Sequence, residues 1–414
     1  MKTLLNYLKI FAILIASFFT FSVVSCLLPN ECLKKNIEKS LPELLEEGDY
    51  PKAMFNGSQY QQDNFTDALI LNIAVSNDSK KPIWSALLNP WSLQNTEGNA
   101  LIDQLDYRIN HLDLTVNTFY GRYWHGSSSF YRILLLTMDY QNLTWFLCLI
   151  STLLLLLFAV KIVKKAGWIK SLPIFLALLF ANFFVTQFSL QFFPVMAIAL
   201  IGGILMCGDN AKSQQKVSVY LFVIGMFTAY FDLLTAPLLT LGLPLIVFMI
   251  LQGEKKESVY VFYKSIFILG LSWFIGYAAA WAAKWIFVRV FFADVDALNL
   301  VNAINLRITT DGYSRWDAIA RNFNLIPLVW VNIVLSFLLL LTFFSFNKKG
   351  ISLSIAFLLV GLLPYIWYFI LSSHSHPHWW FTYRIQVISM ACAMLFFVSL
   401  IDWDRLKVKL KIKN

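Results

Sequence analysis

Two acids four residues apart, Asp63 and Asp67 in Asp63-Asn64-Phe65-Thr66-Asp67, are the first groups in this chain whose type and spacing suit chemistry. On a helix both carboxylates point the same way, one turn from each other. Such a pair can supply a general base, with one pKa raised by the other, or a divalent-cation site built on one or two carboxylates. The plainer role is structural: Asp63 or Thr66 caps a helix that begins near Asn64. A second constellation, Tyr120-Gly121-Arg122-Tyr123-Trp124-His125-Gly126, mixes a cation, an imidazole, a Tyr and a Trp between two glycines. Tyr123 and Trp124 suit stacking on a sugar ring, and Arg122 with His125 suits a phosphate. Aromatics of this kind also collect wherever a chain crosses a membrane interface.

Further along, His374-Ser375-His376-Pro377-His378-Trp379-Trp380-Phe381-Thr382-Tyr383-Arg384 packs three imidazoles, a cluster of aromatics and an Arg into eleven residues. His378, Tyr383 and Arg384 are candidates for substrate contacts. Pro377 disfavours a helix and no Cys is nearby, so His376-Pro377-His378 is a poor zinc motif. Asp232 closes an apolar run at Phe231-Asp232-Leu233-Leu234-Thr235-Ala236-Pro237, where an acid needs water or a partner; Lys284 either pairs with it or snorkels outward. The guanidinium fork binds phosphate and carboxylate better than an ammonium does.

The elements that must position these groups are apolar helices. Of 414 residues, 58% are hydrophobic and 14% charged, about half the charged share of an ordinary soluble domain. Repeated runs of about 18 or more apolar residues imply an all-α, polytopic transmembrane protein. We read ten spans, at 10–28, 143–163, 171–188, 192–208, 217–232, 236–252, 265–288, 325–346, 351–371 and 385–401. The polar segment 28–142 lies between the first two, and a basic tail follows at 402–414, all in one membrane domain spanning 1–414. Lys-rich turns (Lys161, Lys164, Lys165, Lys170, Lys212, Lys216, Lys255, Lys256, Lys348, Lys349) share one side with Lys2, Lys9 and the tail. The positive-inside rule makes that side, and both termini, cytoplasmic in a bacterial plasma membrane. Every Arg but Arg405, and all five His, then fall outside. The net charge of +9 is thus a topology signal with some attraction to anionic lipid, not a nucleic-acid footprint.

Within the first polar segment, 31–49 reads as an acidic amphipathic helix with a start at Ser40-Leu41-Pro42-Glu43, and 64–75 as a second helix. Phe130 to Leu136 is apolar but too short to span, and would lie in the interface or re-enter. Val23-Val24-Ser25-Cys26 looks like a lipoprotein cleavage box, but the apolar run continues to Pro29, which favours an uncleaved anchor. A second outer segment, 289–324, carries Asp294, Asp296, Arg307, Asp311, Arg315 and Asp317. Cys148, Cys207 and Cys392 lie inside spans as packing residues, and Cys26 and Cys32 are close enough to the outer boundary to pair.

An uncleaved first anchor, a large outer loop bearing acids and short outer loops rich in Arg, His and aromatics resemble the GT-C superfamily of integral-membrane glycosyltransferases. The segments 63–68, 122–126, 231–237 with Leu241-Gly242-Leu243-Pro244, and 381–384 are similar to a group of Gram-positive membrane proteins within it. The resemblance implies a polyprenyl-phosphate-linked sugar entering from the outer leaflet and an outer-surface polymer, lipid or protein as acceptor. It further implies Asp67 as base with Asp63 beside it, and Arg122, His125 and Arg384 on the phosphate side. A flippase-like transporter would show internal repeats and ionisable groups at mid-membrane, neither of which is present. A non-catalytic subunit of a cell-envelope assembly fits the same residues.

Overall fold

The computed structural model describes residues 2–52, 55–91, 101–111, 118–253, 259–293 and 312–409. Asp294, Asp296, Arg307, Asp311, Lys255, Lys256 and the tail beyond Lys409 lie outside the described residues. The helices, in chain order, are α1 Lys2–Cys26, α2 Asn30–Glu47, α3 Asn64–Val75, α4 Pro82–Leu88, α5 Leu101–Asn110, α6 Gly126–Leu134 and α7 Tyr140–Ala166. They continue as α8 Trp168–Phe180, α9 Phe183–Thr186, α10 Phe193–Met206, α11 Gln214–Phe231, α12 Leu239–Gln252 and α13 Val259–Phe291. The last group is α14 Arg315–Phe323, α15 Leu328–Phe344, α16 Ile351–Gly361, α17 Leu363–Ile370, α18 Ser372–Ser375, α19 Trp379–Thr382, α20 Val387–Leu400 and α21 Trp403–Lys409. Among the described residues the strands are β1 Pro90–Trp91 and β2 Thr118–Phe119, a two-residue antiparallel pair.

Every apolar segment read from the sequence is helical, but ten separate spans are not what the helix lengths support. Five helices are long and apolar enough to cross a membrane, or six if α14 and α15, bent by 78°, count as one. A helix rises about 1.5 Å per residue, so the 13 or 14 residues of α8, α10 and α12 reach only about 20 Å of a hydrocarbon core roughly 30 Å thick. Apolarity alone could not reveal where these segments break: Asn182, in the left-handed region at φ 56°, separates α8 from α9 inside one apolar run. The long helices present apolar side chains outward, including Phe343 (85% exposed) and Phe267 (70%), as an element bathed in lipid does.

The described part of residues 28–142 folds into a helical cap with its own apolar core. Leu33, Ile37, Leu41 and Leu44 of α2 fall on one face and meet Leu71 and Val75 of α3, Leu105 of α5, and Leu143 and Leu147 of α7. This face overrides the expected start at Ser40: α2 runs straight through Pro42, which sits on its exposed side. The expected helix at 64–75 is α3, and Phe130 to Leu134 belong to α6, packed against α1 and α3 in the cap. All five cysteines, Cys26 and Cys32 included, are free thiols.

In the main bundle α11 lies along α13, α10 along α12, and α16 along α20. Two glycines bring α11 and α13 together: a Cβ at Gly225 would stand 2.2 Å from the Trp273 carbonyl oxygen, and one at Gly276 would stand 2.1 Å from that of Phe222. Small residues at such crossings let helix backbones touch, the main source of packing energy in lipid. Gly276→Val should therefore cost about 1–3 kcal/mol or prevent assembly. Gly270→Ala on the same helix, where a Cβ meets nothing within 4 Å, should be neutral. Thermal unfolding in detergent checks the pair.

Candidate functional site

Both acids of the Asp63–Asp67 pair are fully buried, and they do different things. Asp63 is the N-cap of α3, accepting from the Thr66 amide (3.0 Å) and hydroxyl (2.8 Å). Asp67, one turn later, reaches across to the turn before α10. Its two oxygens accept from the amides of Leu190 (2.9 Å) and Gln191 (3.0 Å), the Ser189 hydroxyl (3.0 Å) and the Tyr140 hydroxyl (3.0 Å). Burial raises both carboxyls, Asp63 to about 7 and Asp67 to about 6, the second being restrained by its four donors. Asp63 is the acid poised near neutrality, with the negative neighbours Asp67 and Asp49 adding to its rise.

The 120–126 segment divides. Arg122 and Tyr123 line a cavity of about 820 Å³ between α13 and α16–α17. Along its α13 wall Trp273, Tyr277, Trp281 and Trp285 recur every four residues, so they share one face. Their neighbouring ring centroids are 5.0, 5.8 and 5.5 Å apart. Trp285 Nε1 donates to the Arg122 carbonyl oxygen at 3.0 Å, and Tyr123 meets Trp281 edge-on at 5.2 Å. The Arg122 guanidinium lies over the Tyr120 ring at 4.5 Å, and among the described residues no acid lies within ion-pair distance of it. The rim residues Phe274, Leu359 and Ile366 are exposed, so the cleft opens sideways on the apolar surface.

Trp124 and His125 lie behind this cleft rather than in it. The Trp124 indole donates to the Ala280 carbonyl at 2.8 Å and packs against Phe18 and Tyr230, so it is a core residue of the cap–bundle junction. His125, buried and left-handed at φ 53°, starts α6 next to Gly126, where a Cβ would collide with Tyr230. Among the described residues neither ring nitrogen has a hydrogen-bond partner. Burial, with Lys284 and Arg122 nearby, pushes it down to about 3, so the ring is neutral and supplies no charge to a phosphate. Lys284 is not paired with Asp232: its ammonium donates to the Ala86 carbonyl at 2.9 Å, pinning α13 to α4. Asp232 instead accepts the Thr235 amide (3.0 Å) and shapes the α11–α12 turn.

Arg384 and Tyr383 stand with the acids. Arg384 donates to the carbonyl oxygens of Gln59 (3.1 Å) and Trp380 (3.5 Å) and lies 4.7 Å over Phe192, while Asp63 acts on it electrostatically. The Tyr383 hydroxyl accepts from Asn182 at 2.8 Å. Gln59 and Asn182 also line a second cavity, of about 490 Å³, with Tyr60, Asn324 and Trp330. His378 packs against rings of its own segment. It contacts His374 (4.8 Å) and Phe381 (5.2 Å), and His374 Nε2 donates to the carbonyl of Leu234, a lining residue of the first cavity.

The structure thus gathers Arg122 and Tyr123 at a lipid-facing cleft, while Tyr383 and Arg384 reach the second pocket only through Asn182 and Gln59, Asp63 is buried within electrostatic range of Arg384, and Asp67 is committed to the frame. Sequence reasoning missed the aromatic column of α13, although its four-residue spacing was readable inside a span taken as merely apolar. It also missed Gln59 and Asn182, whose amides carry no local signal. Among the described residues no three His, Cys, Asp or Glu converge as metal ligands, and the Asp67 oxygens are already occupied by hydrogen bonds. Comparison with protein-family models, curated proteins and solved structures finds no match to this chain.

Asn caps helices as well as Asp, so Asp63→Asn should leave thermal stability within about 0.5 kcal/mol. Asp67→Asn turns an amide N–H toward existing donors and should cost about 1–3 kcal/mol. Because burial raises both carboxyls, the folded chain keeps these protons to higher pH than the unfolded one. Their favourable contribution is complete below the ordinary value of 3.8 and is lost as pH rises to about 6 for Asp67 and 7 for Asp63. Melting curves across that range should shift downward with pH, less so in Asp63→Asn.

Proposed function

We propose that the protein is a multi-pass enzyme of a bacterial plasma membrane with both termini cytoplasmic, its ten apolar segments including short helices that do not cross alone. It transfers a sugar from a polyprenyl-phosphate donor to an acceptor at the outer face. The observation that carries this reading is the laterally open, aromatic-lined cleft ending at Arg122. An isoprenoid chain needs an apolar groove reachable from lipid, and its phosphate needs a cation not already engaged by an acid. In this reading Arg122 holds the departing phosphate, and the acceptor lies in the pocket of Gln59, Tyr60 and Asn182. Asp63, rather than Asp67, is the base that takes the acceptor hydroxyl proton as oxygen attacks the sugar carbon.

A second reading, a non-catalytic subunit that holds a lipid-linked glycan for a partner enzyme, is favoured by the saturated hydrogen bonding of Asp67 and the burial of Trp124 and His125. Deleting the gene should remove one sugar from the surface glycopolymers or glycolipids; unchanged composition overturns both readings. Arg122→Gln should fail to restore it while remaining folded, since Trp285 is held by the Arg122 backbone and not its side chain. Asp63→Asn should abolish transfer, and the wild-type rate should rise with pH through about 7. Full restoration by Asp63→Asn would select the subunit reading.

A further inference from the structure

We propose that a third cavity, at the Lys-rich end of the bundle, binds the headgroup of one anionic phospholipid. It measures about 470 Å³ and is formed where the starts of α8 and α13 meet the ends of α12 and α20 and the turn before α16. Phe262 on its wall and Trp285 beside Arg122 belong to the same helix, 23 positions apart. At about 1.5 Å per residue they are separated by roughly 35 Å, about a bilayer's hydrocarbon thickness. This cavity therefore lies at the opposite membrane face from Arg122, next to the far end of the lipid cleft, whose lining reaches Tyr263 beside Phe262.

Its chemistry is that of a phospholipid rather than a free anion. Lys170, half-buried, and Lys349, exposed, put two lysines on its lining. Phe262, Leu353 and Phe357 make an apolar wall behind them, suited to the first carbons of acyl chains. Trp403 stands at the edge with its indole N–H donated to the Val398 carbonyl (3.0 Å), a fixed ring of the kind found at headgroup depth. Among the described residues no acid lines the cavity. The nearby Asp402 already accepts the Arg405 amide at 3.0 Å, and Asp209 faces Lys165 at 3.6 Å.

One wall of the cavity, the turn before α16 and the end of α20, is tied together by backbone contacts. Phe346 bridges Ile401, the Asn347 amide donates to Leu400 (2.8 Å), and the Ser345 hydroxyl donates to the Asp402 carbonyl (2.7 Å). Gly350 lets this turn close on the α20 end: a Cβ there would stand 1.8 Å from the Ser399 carbonyl oxygen. A basic lining beside an apolar wall between membrane helices is how proteins select anionic headgroups from a mixed leaflet.

Native mass spectrometry of the full-length protein in detergent tests this. It would be titrated with phosphatidylglycerol, phosphatidylcholine of the same chains, and glycerol phosphate. A single phosphatidylglycerol should be retained in preference to phosphatidylcholine, and glycerol phosphate should not displace it. Each lysine should contribute roughly five-fold, so Lys170→Gln with Lys349→Gln should weaken retention about 25-fold. Lys164→Gln with Lys407→Gln, equal in charge but outside the cavity, should not. Equal retention of the two lipids, or an equal loss in the control pair, overturns the proposal; displacement by glycerol phosphate would show an anion site without a lipid. Should the double variant fold poorly, Lys349→Gln alone, at an exposed position, must still show the five-fold loss.

Discussion

Buried charge answered by neutral dipoles is the constraint on which this architecture depends. Among the described residues the ion pair is Lys165 with Asp209, on the surface. Yet Asp67, Arg132, Lys284 and Arg384 are all buried. Asp67, Arg132 and Lys284 are satisfied by hydroxyls, amides or carbonyl oxygens instead of an opposite charge, and Arg384 donates to two carbonyl oxygens within electrostatic range of Asp63. Arg132 is the fullest case: it donates to the carbonyl oxygens of Ser25 (2.9 Å), Leu28 (2.8 Å) and Ala74, and to the Asn30 side chain (3.1 Å). It thereby ties the end of α1 to the start of α2 and to α3. Asp67 makes the reciprocal clamp from α3 to the α9–α10 turn and α7. Removing any one of these partners would leave a desolvated charge, which costs far more than a lost surface contact.

The clamps explain how a cap of short helices holds still over a bundle bathed in lipid. Apolar burial drives little helix association within a bilayer, so precise placement falls to close backbone contact and polar ties. Gly225 and Gly276 supply the first along α11 and α13, and Lys284, Arg132 and Asp67 supply the second between bundle and cap. A held cap brings the Arg122 backbone to Trp285, and with it a guanidinium to the end of the aromatic column. Asp63, by contrast, caps its own helix, and among the described residues its side chain makes no long-range hydrogen bond.

Local pattern made much of this readable. The α3 helix and its Asp63 cap follow from the acid preceding an apolar run, and the apolar segments are helical where their composition says. Interruptions were less legible. Pro42 signalled a helix start and lies inside α2, because the Leu33–Ile37–Leu41–Leu44 face buries enough to carry the helix through. Asn182 breaks an apolar run with no change in hydropathy. Trp124 and His125 looked like partners of Arg122 because they are adjacent in sequence, but the left-handed turn at His125 sends them to the opposite side of the segment.

Sequence by itself determined the solvent and the secondary structure: side chains this apolar in runs this long can satisfy their backbones in lipid only as helices. It also determined which groups could bind phosphate or move a proton, since those properties belong to the side chains. Which of them meet was left to the tertiary structure. Arg122 joins residues some 160 positions away on α13, Asp63 joins Arg384 from near the chain's other end, and Asp67 is spent on a turn more than 120 positions distant. Such encounters depend on helix crossings and buried dipoles, and no spacing along the chain encodes them.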